Sequence, residues 1–211
     1  MLWDYLLILI VISMVLCLVG FYRYEYFATI GRGFAIAGIG VALFTLNLMH
    51  AYDATWPNYV MFALLILYGI RLAIFSLIGE VEKPKEKDHV SVVTKIIAWL
   101  LISVLSAAQA SPLLFTVEGE YGYYPGFCMW IGMILALAGL VVEILGDIKK
   151  NWKIGSLISL KDLGTLLYWL GILFSSLDYL HGFAEFVIAL LSYVGIVAAI
   201  VLKHKVKQSV T

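Results

Sequence analysis

The sequence predicts an all-α integral membrane protein with about seven transmembrane helices. Of its 211 residues, 63% are hydrophobic and only 13% are charged, and the mean hydropathy is +0.99. A soluble domain is nearer half apolar and a quarter charged. Apolar runs also recur along the whole chain, and no internal repeat or low-complexity tract divides it, so residues 1–211 are predicted to form a single domain.

The predicted spans follow from the lengths of these runs. A spanning helix needs about 20 mostly apolar residues, whereas a membrane barrel strand has about 10 residues of alternating polarity. The runs therefore predict helices over residues 2–21, 33–51, 58–79, 92–115, 126–146, 163–179 and 183–202. The sixth of these is the shortest and lies at the lower limit for crossing the hydrocarbon core.

The distribution of positive charge predicts the orientation of the chain. All 14 Lys and Arg residues fall at one membrane face, in alternate loops, in the adjoining parts of helices or in the C-terminal tail. By the positive-inside rule that face is cytoplasmic. The N-terminus is then outside and the C-terminus cytoplasmic, which requires an odd number of helices. The short loops favour a bacterial inner membrane, and the zero net charge gives no reason to expect binding to nucleic acid.

Ionisable residues inside the predicted helices are candidates for function, because a bilayer penalises them. Arg71 lies about two turns from the inner end of the third helix, where it could either serve a site or extend to water. Glu143 and Asp147 are four residues apart and so share one helical face, which Lys150 extends. That face is either an ordinary helix end or a polar binding site. The polar Gln109 is suited to a hydrogen bond between helices. The four histidines are scattered over both predicted faces, so no metal site is expected.

Four segments, taken in order, resemble the steroid 5-alpha-reductase superfamily in its bacterial, largely uncharacterised branch. Residues 139–150 resemble a helix that ends in Glu, then Asp, then Gln-Lys, with Lys149 in place of Gln. Residues 68–72 are similar to the family's Trp-Gly-x-Arg-Leu, 111–114 to its Leu-Pro-Leu, and 164–171 to its Gly-Glu-x-x-x-Trp-x-Gly. The reductase-like region covers about residues 60–202. Family members have about seven helices and a cytosolic C-terminus.

The resemblance implies an NADPH-dependent reduction of an activated double bond in a lipid or sterol-like substrate. The residues that it implies at the inner cofactor site are Glu143, Asp147, Lys150, Gly164 and Trp169. The catalytic group stays unassigned, with Tyr68 and Tyr168 as candidates for the proton donor.

One departure from the family leaves the function open. The family's Arg-His-Pro-Asn-Tyr-Phe segment, which helps to hold NADPH, is missing before Gly164, and Thr165 replaces the family's Glu. Lys161 and its basic neighbours could still attract phosphates, but only as flexible point charges. The same deletion would impair the cofactor site of the related isoprenylcysteine methyltransferases. The two leading alternatives are therefore a reductase and a cofactor-free, lipid-binding or structural descendant of the fold. A transporter is the weaker third reading, since the helix centres are nearly all apolar.

Overall fold

The computed structural model describes residues 2–49, 56–81, 90–118, 126–148, 153–154, 158–180 and 182–209. Its seven α-helices are α1 (Leu2–Leu16), α2 (Arg32–Met49), α3 (Trp56–Val81), α4 (Val92–Glu118), α5 (Phe127–Ile148), α6 (Leu160–Ser176) and α7 (Phe183–Ser209). Short helical segments follow α1 (Cys17–Phe21), precede α2 (Phe27–Gly31) and follow α6 (Leu177–Tyr179). The predicted all-α class is thereby confirmed. A two-residue antiparallel pair, β1 (Lys153–Ile154) with β2 (Ile158–Ser159), was not predicted; it pairs Lys153 with Ser159.

Six of the described helical segments are long and apolar enough to cross a membrane. They are Trp3–Phe21, Phe27–Met49, Trp56–Gly79, Val92–Val117, Phe127–Ile148 and Phe183–Leu202. The protein is therefore an integral membrane protein. The predicted sixth span corresponds to α6, which is helical but has only 17 residues. Most of its side chains are buried among the other helices, so α6 lies inside the bundle.

The second span begins earlier than the sequence predicted. Arg32 was placed in the loop before a helix at residue 33, but the helical run already starts at Phe27. Phe27 and Ile30 are buried, and their burial draws this segment into the bundle. Arg32 is therefore the first residue of α2 and lies within a candidate span.

Glycines set the close approach of α5 and α6, which form the most extensive helix pair. A Cβ atom on Gly132 would lie 2.5 Å from the carbonyl oxygen of Gly171, and one on Gly139 would lie 2.8 Å from that of Gly164. Real Cβ atoms do not approach so closely. Small residues allow the two backbones to touch, as is common between membrane helices.

The α2–α3 pair uses the same arrangement. A Cβ on Gly69 would lie 2.6 Å from the carbonyl oxygen of Gly33, just as one on Gly171 would lie 2.6 Å from that of Gly132. In each case the residue four positions further along the facing helix is an alanine, Ala37 in α2 and Ala136 in α5, and the same Cβ would lie 2.4 Å from its backbone nitrogen. Two helix pairs of the bundle are thus fixed by similar backbone contacts.

Polar side chains join α4 to its neighbours. Trp99 Nε1 donates to the carbonyl oxygen of Met14 in α1 at 2.8 Å. Gln109 Oε1 accepts from Arg32 Nη2 in α2 at 2.8 Å, which confirms the hydrogen bond between helices that was predicted for Gln109. Asn58 Nδ2 in α3 donates to the carbonyl oxygen of Thr116 at 3.1 Å.

Candidate functional site between α3, α5 and α6

A buried ion-pair network joins α3 to α5. Arg71 Nη1 lies 2.8 Å from Glu143 Oε1, and Arg71 Nη2 pairs with Asp147 Oδ2. Glu143 and Asp147 share one face of α5, as their four-residue spacing predicted, and both pair with Arg71. The Arg71 side chain is 7% exposed. Of the two readings of Arg71, extension to water is therefore wrong, because α5 supplies two carboxylates that keep the guanidinium inside the bundle.

Lys161, in the first turn of α6, closes the network. Its Nζ lies 2.7 Å from Asp147 Oδ1, and its side chain is 42% exposed. The start of α6 is fixed by Ser159, whose hydroxyl accepts a hydrogen bond from the backbone N–H of Asp162. Such an N-cap stabilises a helix terminus. We call Arg71, Glu143, Asp147 and Lys161 the Arg71 cluster; its two cations and two carboxylates sum to zero formal charge.

The other residues implied at the cofactor site have different surroundings. Gly164 lies inside α6, where a Cβ would overlap the backbone of Glu143, so this glycine serves helix packing. Trp169 is buried, and its Nε1 donates to Tyr68 Oη at 3.3 Å. Lys150 lies outside the described residues. The structure thus brings Glu143, Asp147 and Gly164 together, with Trp169 further along α6.

Two tyrosines stack beside the Arg71 cluster. The rings of Tyr68 and Tyr168 lie 4.2 Å apart between centroids, with an interplanar angle of 11°. The Arg71 guanidinium lies 5.9 Å from the centre of the Tyr68 ring, within cation–π range. Tyr168 is fully buried, and its hydroxyl has no hydrogen-bond partner among the described residues. This buried hydroxyl could donate a hydrogen bond to a carbonyl or hydroxyl group of a ligand.

The partners of two cations, Lys161 and Arg32, were not predicted from the sequence. Lys161 was expected only as a flexible charge that could attract phosphates, and Arg32 was placed in the first loop. Neither partner could be found from spacing, because Asp147 and Gln109 lie on other helices. The signal that was available was the charge itself, since every intramembrane cation needs a partner.

Comparison with known proteins identifies a family. A family model described as "Protein of unknown function (DUF1295)" matches residues 31–154, which is more than half of the chain. The match includes Arg71, Glu143 and Asp147 and ends before α6 begins. No curated protein and no solved structure matches the chain.

Proposed function

We propose that this chain, which belongs to the DUF1295 family, binds a membrane lipid or sterol-like molecule within its helical bundle and works without a nicotinamide cofactor. The observation that carries this proposal is the mutual neutralisation of the Arg71 cluster. Both of its cations are engaged by the carboxylates of Glu143 and Asp147.

The Arg71 cluster does not fit NADPH. A nucleotide's phosphates need cations that are free to bind them, and Arg71 and Lys161 are already paired. If a phosphate took Arg71, it would leave Glu143 and Asp147 as buried carboxylates without that partner. Breaking a buried ion pair costs about 3–5 kcal/mol. Gly164 does not offer a phosphate cradle either, because its backbone packs against Glu143.

Two observations support a lipid or sterol-like ligand. The resemblance to the steroid 5-alpha-reductase superfamily implies substrates of that class. The Tyr168 hydroxyl is buried without a described partner, and a buried donor left unsatisfied costs about 1–3 kcal/mol. A carbonyl or hydroxyl on an apolar ligand would remove that penalty. From the positive-inside pattern, we place the Arg71 cluster at the cytoplasmic side of a bacterial inner membrane.

Titration of the purified protein in neutral detergent tests the proposal. We expect no thermal shift and no change in nicotinamide fluorescence with NADPH or NADH up to millimolar concentration. We expect progesterone, a sterol-like enone, to stabilise the wild type in a saturable manner and Tyr168→Phe much less. Saturable nucleotide binding that Asp147→Ala abolishes would overturn the cofactor-free reading.

The second candidate is an NAD(P)H-dependent reductase, which the Tyr168 hydroxyl favours. A buried tyrosine beside Glu143 and Tyr68 is suited to polarise a carbonyl of the substrate. The test incubates progesterone and NADPH with the wild type or with Tyr168→Phe and follows the loss of the enone absorbance of progesterone. Turnover by the wild type that Tyr168→Phe abolishes would replace the first proposal with the second.

A further inference from the structure

Arg32 is a second cation inside a candidate membrane span, and it is not a member of the Arg71 cluster. It opens α2 and lies within the candidate span Phe27–Met49. Its guanidinium Nη2 donates to Gln109 Oε1 at 2.8 Å, and Gln109 lies within the span Val92–Val117. A charged group at such a position is expensive, and it is usually paired or functional.

The partner of Arg32 carries no charge. Among the residues that the structure describes, Gln109 is the one group that binds the guanidinium, and no described carboxylate pairs with it. Arg71, by contrast, has two carboxylate partners. One hydrogen bond also leaves four of the five N–H donors of a guanidinium for another group. Arg32 is only partly buried.

The backbone on either side of Arg32 is firmly packed. A Cβ on Gly31 would lie 3.4 Å from the Cα of Cys17, and one on Gly33 would lie 2.9 Å from the carbonyl oxygen of Gly69. Gln109 itself is buried. These contacts hold the start of α2 against α3 and the segment after α1, so the guanidinium is presented from a rigid support.

We infer that Arg32, oriented by Gln109, binds the carboxylate or phosphate headgroup of an anionic membrane amphiphile. A planar guanidinium matches both headgroups with paired N–H donors. The lipid character of the ligand rests on the proposed function. The anion preference rests on Arg32 alone, because a guanidinium in a membrane span without a described counter-ion gains most from an anion.

The structure offers an internal mimic of the ligand. Gln109→Glu keeps nearly the same side-chain shape but places a carboxylate oxygen where Arg32 already donates at 2.8 Å. This variant should fill the site from within. We expect a higher thermal midpoint without ligand, together with loss of anion binding.

The experiment measures retention of radiolabelled oleate by the full chain in neutral detergent, with unlabelled oleate, methyl oleate and inorganic phosphate as competitors. We expect saturable retention that oleate competes and methyl oleate does not. Affinity should fall about tenfold or more in Arg32→Gln and in Gln109→Glu, because a charge-assisted hydrogen bond is lost. The matched control is Arg23→Gln, which removes the same charge from a residue that packs on Tyr26. That variant should bind as the wild type does.

Each other outcome has a definite meaning. Equal binding of methyl oleate and oleate, unchanged by Arg32→Gln, would overturn the headgroup site but leave the lipid-binding function standing. Competition by inorganic phosphate as effective as that by oleate would overturn the assignment to a lipid. Oleate binding that survives Gln109→Glu in a folded sample would also overturn it. Nucleotide binding alongside Arg32-dependent oleate binding would overturn the cofactor-free function and support the headgroup site.

Discussion

Arg71 and Glu143 lie on different helices, α3 and α5, with Nη1 and Oε1 2.8 Å apart and both side chains almost fully buried. Because neither group can recover its hydration when the other is removed, the pair couples the position of α3 to that of α5. A buried pair adds little stability relative to apolar residues of similar shape, but its disruption leaves an uncompensated charge.

Truncation of Glu143 should therefore be costly. Glu143→Ala leaves Arg71 with Asp147 alone, and we expect the protein to lose about 3–5 kcal/mol of stability. The loss would be measured as a fall in the thermal midpoint in detergent. Glu25→Gln, at an exposed carboxylate, is the control and should change stability by less than about 1 kcal/mol. Equal effects at the two positions would contradict the role given to the buried pair.

Lys161 should matter less than Arg71, although both pair with Asp147. Its side chain is 42% exposed, so solvent screens the interaction. Lys161→Met should cost less than about 1 kcal/mol, and this cost should shrink as salt is raised. Arg71→Met should cost several times more at any ionic strength. Thermal unfolding of both variants at low and high salt would test this, and a large, salt-insensitive loss in Lys161→Met would count against it.

The stacked tyrosines give a matched comparison of hydroxyl groups. Tyr68 Oη accepts a hydrogen bond from Trp169 Nε1, whereas Tyr168 Oη has no described partner. Tyr68→Phe should lower stability by about 0.5–1.5 kcal/mol. Tyr168→Phe should be neutral or stabilising, since it removes an unsatisfied buried group. Thermal midpoints of the two variants without ligand test this prediction. A larger loss in Tyr168→Phe than in Tyr68→Phe would contradict it.

The glycines between α5 and α6 should not tolerate a methyl group. A Cβ on Gly164 would overlap the backbone of Glu143, and backbone cannot move aside as a flexible side chain can. We expect Gly164→Ala to cost about 1–3 kcal/mol or more and to reduce the yield of folded protein. A Cβ on Gly195, in α7, meets nothing within 4 Å. Gly195→Ala should be neutral or slightly stabilising, because alanine favours a helix. Size-exclusion profiles and thermal midpoints would show the difference.

The orientation predicted from charge can be tested in cells. Fusion of alkaline phosphatase to the C-terminus should give an inactive enzyme, and fusion of green fluorescent protein should give fluorescence, because the tail is predicted to be cytoplasmic. The opposite pair of results would show that α6 does not add a seventh crossing or that the whole chain is inverted.

Several features could be predicted from local sequence. Run length and hydropathy predict the helices, and the four-residue spacing of Glu143 and Asp147 predicts their common face. These properties depend on residues within a few turns of each other. The predicted start of the second helix at residue 33 was wrong because it does not depend on local sequence alone. The burial of Phe27 and Ile30 depends on helices elsewhere in the chain.

The sequence by itself thus determined the membrane class, the helical architecture and the side of α5 that carries the carboxylates. Only the tertiary structure decided which cation faces them, that Lys161 closes the cluster, and that Arg32 meets a neutral glutamine. Arg71 and Asp147 are 76 positions apart, and Arg32 and Gln109 are 77 positions apart. Pairing over such distances depends on which helices pack together, and the glycine contacts of α2 with α3 and of α5 with α6 set that packing.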